Sequence, residues 1–175
     1  MKRALPLLLL GSLCSGLWAQ QFKLNLDHLA GKAANVVDIS LNGPMLQFAA
    51  KFLDNKDPDQ ATVKKLINGL EGIYVKSYEF KNTGAWSPSD LDAVRNQLKG
   101  PDWMKMVGYT SSEDGETADI YIRTEDKKIN GIAVLVSAPK ELTVVNIAGS
   151  VDLESLSTLG GHFGVPKLVP PPHKK

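Results

Sequence analysis

The chain has 175 residues, 43% of them hydrophobic, with one cysteine and a formal charge of +1. That length suits one ordinary domain. The apolar content excludes collagen-like, mucin-like and bulk-disordered chains, and a single cysteine cannot close a loop within its own chain. A charge so near zero gives no support for nucleic-acid or membrane-surface binding driven by bulk electrostatics.

The chain opens on Met1-Lys2-Arg3, a short positive start, followed by an apolar run from Ala4 to Leu13. Small residues come next, at Ser15 and Gly16, and Ala19 offers a cleavage point. This is the layout of a secretory signal peptide over residues 1–19; an uncleaved signal anchor is the alternative. A membrane-spanning helix needs about twenty apolar residues, and no later stretch approaches that, so no transmembrane segment is expected in the mature chain. Cys14 follows Leu13 rather than a small residue, a poor match to an acylated lipoprotein cysteine. It is therefore assigned to the discarded peptide, with lipid anchoring through Cys14 as the alternative. Cleavage leaves a thiol-free chain of slightly acidic balance, suited to an oxidising periplasmic or extracellular setting.

Phe22, Leu26, Leu29 and Ala33 fall on one helical face and predict a first helix. Val36 to Leu41 alternates around Asp38 and Ser40 as a strand does. Asn42-Gly43-Pro44 breaks it and can start a helix, in which Met45, Phe48, Ala49 and Phe52 recur at helical spacing. Asp57-Pro58-Asp59 starts the next helix, with Val63, Leu66, Ile67 and Leu70 as its stripe and Gly72 as its end. Ile73 to Phe80 is β-branched and aromatic, hence a strand. Ser87-Pro88-Ser89-Asp90 offers caps for a helix carrying Leu91, Val94 and Leu98, which Gly100-Pro101 stops.

The remainder is mostly β. Trp103 to Ser111 is a strand, and Asp114-Gly115 a hairpin turn. Ala118, Ile120 and Ile122 alternate with Asp119, Tyr121 and Arg123. Asn130-Gly131 is a further turn or bulge. Ile132 to Val136 is an interior strand, and Pro139-Lys140 turns into Leu142 to Ala148. Asp152 caps a last short helix with Leu153, Leu156 and Leu159. The predicted class is α+β: an antiparallel sheet of about five strands with helices packed mainly on one face. It forms a single domain over 20–164, followed by an extended proline- and lysine-rich tail over 165–175.

Three blocks carry a family resemblance. They are Gly69-Leu70-Glu71-Gly72-Ile73-Tyr74-Val75-Lys76-Ser77-Tyr78-Glu79-Phe80, the run Pro139 to Gly149 continuing into Val151-Asp152-Leu153, and Phe163-Gly164-Val165-Pro166-Lys167. Over roughly Leu24 to Lys167 the chain resembles the exported bacterial proteins grouped as domain of unknown function 4252. The resemblance implies bacterial export and one compact α+β domain. It implies no activity, and no catalytic or binding residue transfers with it.

The residues themselves suggest little catalysis. His28, His162 and His173 show no ligand pairing, so no metal is expected. Glu113-Asp114-Gly115-Glu116 fits a solvated hairpin tip better than a calcium loop. No G-x-S-x-G elbow and no phosphate-binding glycine loop occurs, and no cofactor is implied. One strand face stands out: Tyr74, Lys76 and Tyr78, which Tyr121 and Arg123 could join. Aromatic and basic groups on a sheet can stack planar or sugar-like ligands; the competing reading is that they are core-edge residues beneath a helix. The expected function is a non-enzymatic binding or interaction module whose partner is an envelope protein or small ligand, not nucleic acid. The alternatives are a hydrolase built from distant carboxylates such as Glu79, Asp119 or Glu141, and an assembly protein pairing through a sheet edge.

Overall fold

The structure, a computed structural model, describes residues 22–151. The leader over 1–19, the helix expected after Asp152 and the tail over 165–175 lie outside the described residues. The elements run β1 (Asn35–Asn42), α1 (Gly43–Ala50), α2 (Pro58–Asn68), β2 (Leu70–Glu79), α3 (Asp92–Gln97), β3 (Trp103–Thr110), β4 (Thr117–Glu125), β5 (Lys128–Ala138) and β6 (Glu141–Gly149). The strands form one sheet in the order β1-β2-β6-β5-β4-β3, every neighbour antiparallel. The α+β class holds, with six strands rather than about five. β1 is separated from the other strands by two helices, yet it pairs with β2 over its whole length.

Local chemistry explains the boundaries. Asn42 ends β1 and caps α1, its side-chain oxygen accepting from the Met45 amide at 3.1 Å. Asp57 caps α2 through the amides of Asp59 and Gln60, and Pro58 follows at the first helical position, where no amide is needed. α2 ends at Asn68 with Gly69 as its cap, so Gly72 lies inside β2 instead of ending the helix. The β4–β5 hairpin turns on Asp126 and Lys127, whose φ of 49° and 63° suit a two-residue primed turn. Asn130-Gly131 is not a turn: Arg123 pairs with Gly131 and Thr124 with Ile129, which leaves Asn130 as a bulge.

The first predicted helix is not formed. A single 3-10 turn spans Asp27–Leu29, and the rest of 22–34 is irregular. Phe22, Leu24, Leu26 and Leu29 all pack into one cluster with the sheet. The two-residue step from Leu24 to Leu26 points both side chains inward in an irregular segment, whereas a helix would splay them apart.

Two apolar clusters flank the sheet. The first joins Tyr78, Ala133, Leu135, Leu142 and Val144 to Leu26 and Leu29 of the N-terminal segment and to Leu91, Val94 and Leu98 in and around α3. The second joins Ile122 and Ile132 to Leu46, Leu66 and Ile67 of α1 and α2, and to Val151. Helical side chains thus enter both clusters, those of α1 and α2 the second and those of α3 the first. In α1 the buried residues are Leu46 and Ala50, while Met45, Phe48 and Phe52 are 50%, 62% and 74% exposed. The helix is apolar on most of its circumference, so spacing alone does not choose the sheet-facing side.

Candidate functional site

Directly opposed residues of antiparallel strands share a face. Tyr74 lies opposite Asn146, Asn146 opposite Ala133, and Ala133 opposite Tyr121. One row further along, Gly72, Ala148, Gly131 and Arg123 align in the same way. The sheet therefore places Tyr74, Lys76, Tyr78, Tyr121 and Arg123 on one face, that of the first cluster.

Their environments differ. Tyr78 is 1% exposed and its ring stacks on Phe80 with centroids 6.4 Å apart. Burial pushes its phenol above the ordinary value. Lys76 donates to Asp38 Oδ2 at 2.9 Å and to Asp27. The hydrogen bond to Asp27 does most to raise its pKa, against the opposing effect of burial. Tyr121 sits 6.0 Å beneath the Lys105 ammonium, which in turn pairs with Asp119 at 2.6 Å. Arg123 donates from Nε to Asn130 Oδ1 at 2.9 Å and from Nη2 to the Asn130 carbonyl at 3.2 Å. Its guanidinium lies 5.9 Å from the Trp103 ring centre.

Two of these side chains closely approach a glycine. A Cβ on Gly72 would sit 2.7 Å from the Tyr74 ring, and one on Gly131 would sit 3.3 Å from Arg123 Cβ. The lysines of this face are engaged by carboxylates, and the guanidinium is engaged by Asn130. Tyr74 is the half-buried aromatic of the group without such an engagement, and beside it Asn146 is 3% exposed. Asn146 did not stand out in sequence, because it sits in an otherwise apolar strand whose register becomes visible only in the folded sheet.

The three carboxylates named for hydrolysis do not share one enclosed site: Asp119 lies on the other sheet face from Glu79 and Glu141. Glu79 and Glu141 oppose each other across β2 and β6, but both are exposed, and Glu79 accepts from Asn35 Nδ2 at 2.6 Å. Asp119 is on β4, held by Lys105. A depression of about 340 Å³ lies between Lys32, Ala33, Ala34, Lys81, Asn82 and Ala85; none of the three carboxylates or the five face residues lines it, although the Ala34 amide donates to the Glu79 carbonyl at 2.7 Å. Among the described residues no three His, Cys, Asp or Glu side chains are grouped to hold a metal ion.

The opposite face is built differently. Three cross-strand rows run across it from β3 to β1, and beyond the third the same face carries the opposed pair Glu79 and Glu141. The first is Met104, Ile122, Ile132, Ile147, Ile73 and Leu41; the second Val107, Ile120, Val134, Val145, Val75 and Ile39; the third Tyr109, Ala118, Val136, Thr143, Ser77 and Val37. None of the eighteen carries a charge. The first row meets α1 and α2, and Ile122 and Ile132 are buried there. The second and third rows have no buried member, although Ile120 and Val134 of the second row pack against the edge of the same cluster. At their ends Val107, Tyr109, Ile39 and Val37 are 47%, 50%, 39% and 47% exposed.

A six-stranded antiparallel sheet, with two helices before β2 and one after it, defines an α+β domain whose distinguishing surface is a band of uncharged cross-strand rows on one sheet face. Residues 29–159 match the model of a family described as a domain of unknown function, DUF4252, and the chain belongs to that family. A search of curated proteins finds no match. Among the described residues no helix is long and apolar enough to cross a membrane.

Proposed function

We propose that the domain is a non-enzymatic interaction module, exported through its N-terminal leader, that receives an apolar protein partner on the second and third rows of the sheet face. One observation carries this reading: twelve aligned uncharged side chains, from Val107 and Tyr109 to Ile39 and Val37, none of them buried. At strand spacings of ~4.8 Å the band measures on the order of 400 Å², within the range of the largest, often functional, apolar patch on a monomer. Covering it is worth on the order of 5 kcal/mol or more in apolar transfer before ordering costs, enough to favour a partner over water.

A photo-reactive residue placed at Val145, in the middle of the band, tests the reading in cells that make the protein. Val145 is expected to cross-link to one discrete protein, while the same probe at exposed Lys99 yields none. Absence of any cross-link at Val145, or equal labelling at both sites, would refute it. Mass spectrometry of the protein recovered outside the cytoplasm tests the leader, with cleavage after Ala19 as the expected result.

A further inference from the structure

The two edges of the sheet are protected to different degrees. Exposed edge strands are templates for pairing with another chain, and proteins guard them with bulges and inward or edge lysines. β3 has both devices: its register shifts between Lys105 and Val107, and Lys105 points across the sheet to Asp119. β1 has neither. Its eight residues pair with β2 without a shift, seven of the eight are exposed, and they include no proline or lysine. Its one charge, Asp38, is already tied to Lys76 at 2.9 Å. Among the described residues nothing pairs with its outer side.

We infer that β1 is a self-association edge, pairing antiparallel with β1 of a second copy of this chain across a two-fold axis at Ile39. The pattern of the strand selects this occupant. Val37, Ile39 and Leu41 lie on the apolar face, Asp38 and Ser40 on the other, so a pairing strand must bring the same alternation, and β1 itself does. The side-chain period of two restricts the symmetric registers to those that match like faces. An axis at Asp38 sets that carboxylate against its own copy, which is destabilising. An axis at Ser40 shortens the overlap. An axis at Ile39 matches Val37 with Leu41 and Asp38 with Ser40, and continues the second row through Ile39 into the second row of the other copy. This inference stands on the state of the edge and not on the partner proposed for the face.

Sedimentation velocity of the purified protein over about two orders of magnitude in concentration reads the result. A concentration-dependent dimer is expected. Ile39→Lys, which puts two ammonium groups at the axis, is expected to weaken it at least tenfold, while Met104→Lys on the guarded edge leaves it intact. In a Cys14→Ser background, Ile39→Cys is expected to form a disulfide between copies under oxidising conditions, and Tyr109→Cys none; this arm does not depend on Ile39→Lys folding. A monomer at every concentration, or a dimer unchanged by Ile39→Lys and cross-linked through Tyr109→Cys, would overturn the inference. The Val145 cross-link reports on the face alone, so either proposal can fail without the other.

Discussion

Lys76 and Asp38 face each other across β2 and β1, and the Lys76 ammonium ties that edge carboxylate to Asp27 of the N-terminal segment. One side chain thus fastens an irregular segment and an edge strand to the sheet. The lysine side chain is 14% exposed, but its partners are 80% and 52% exposed, so solvent screens the pair and its contribution is modest.

Replacing Lys76 with Met is expected to lower stability by about 1 kcal/mol at pH 7, measured by urea unfolding. The folded-state pKa of Lys76 lies above its ordinary 10.5. The stabilisation is then complete below pH 10.5 and is lost as pH rises through the higher folded value. The difference between wild type and Lys76→Met should therefore stay level from neutral to about pH 10 and shrink beyond it.

Asp90 links two other segments. It accepts from the Ser87 amide at 2.7 Å, in the capping box that opens the turn before α3, and lies 2.9 Å from His28 Nε2. The hydrogen bond from His28, followed by that from Ser87, holds its carboxyl below the ordinary 3.8. Its stabilisation is present above pH 3.8 and fades as pH falls through the lower folded value. Asp90→Ala is expected to cost about 1 kcal/mol at neutral pH, and the two unfolding curves should converge in strong acid.

Leu46 and Phe48 make opposite predictions within one helix. Leu46 is 2% exposed and Phe48 62%. Leu46→Ala removes a buried side chain from the second cluster and should cost about 2–5 kcal/mol. Phe48→Lys should change stability by no more than about 0.5 kcal/mol, while disrupting the exposed edge-on pair of Phe48 and Phe52. Thermal unfolding of the two variants separates them. Equal losses would mean that α1 presents another side to the sheet.

What could be read from sequence divides along local and non-local lines. Asn42, Asp57 and the Ser87–Asp90 pair mark helix starts because a cap is set by three or four adjacent residues. The shared face of Tyr74, Lys76 and Tyr78 follows from strand period alone. The burial of Tyr78 does not, since Leu26 and Leu29, some fifty residues earlier in the chain, supply its cover together with α3. The side of α1 that meets the sheet is likewise settled by its neighbours. Lys76, named in sequence as one of a candidate ligand-binding face, is paired with two carboxylates from elements whose proximity only the folded sheet creates. The open apolar rows were hidden for the same reason: each strand contributes two ordinary residues, and five registers are needed to align them.

Gly149 and Gly84 both have a positive φ, of 109° and 78°, yet their surroundings differ. An added Cβ at Gly84 meets nothing within 4 Å, whereas at Gly149 it would lie 2.5 Å from the Glu71 amide nitrogen and 2.6 Å from the Gly69 carbonyl oxygen. Gly84→Ala therefore carries only the left-handed backbone penalty, about 1 kcal/mol. Gly149→Ala adds a collision with backbone atoms that no side-chain rotation relieves. It must part the end of β6 from the start of β2, where the Ser150 amide donates to the Gly69 carbonyl at 2.8 Å. A loss of about 3 kcal/mol or more is expected for Gly149→Ala, with faster hydrogen exchange at Ser150 as its local signature. Equal, small losses at both glycines would show that the two strand ends are not held together in this way.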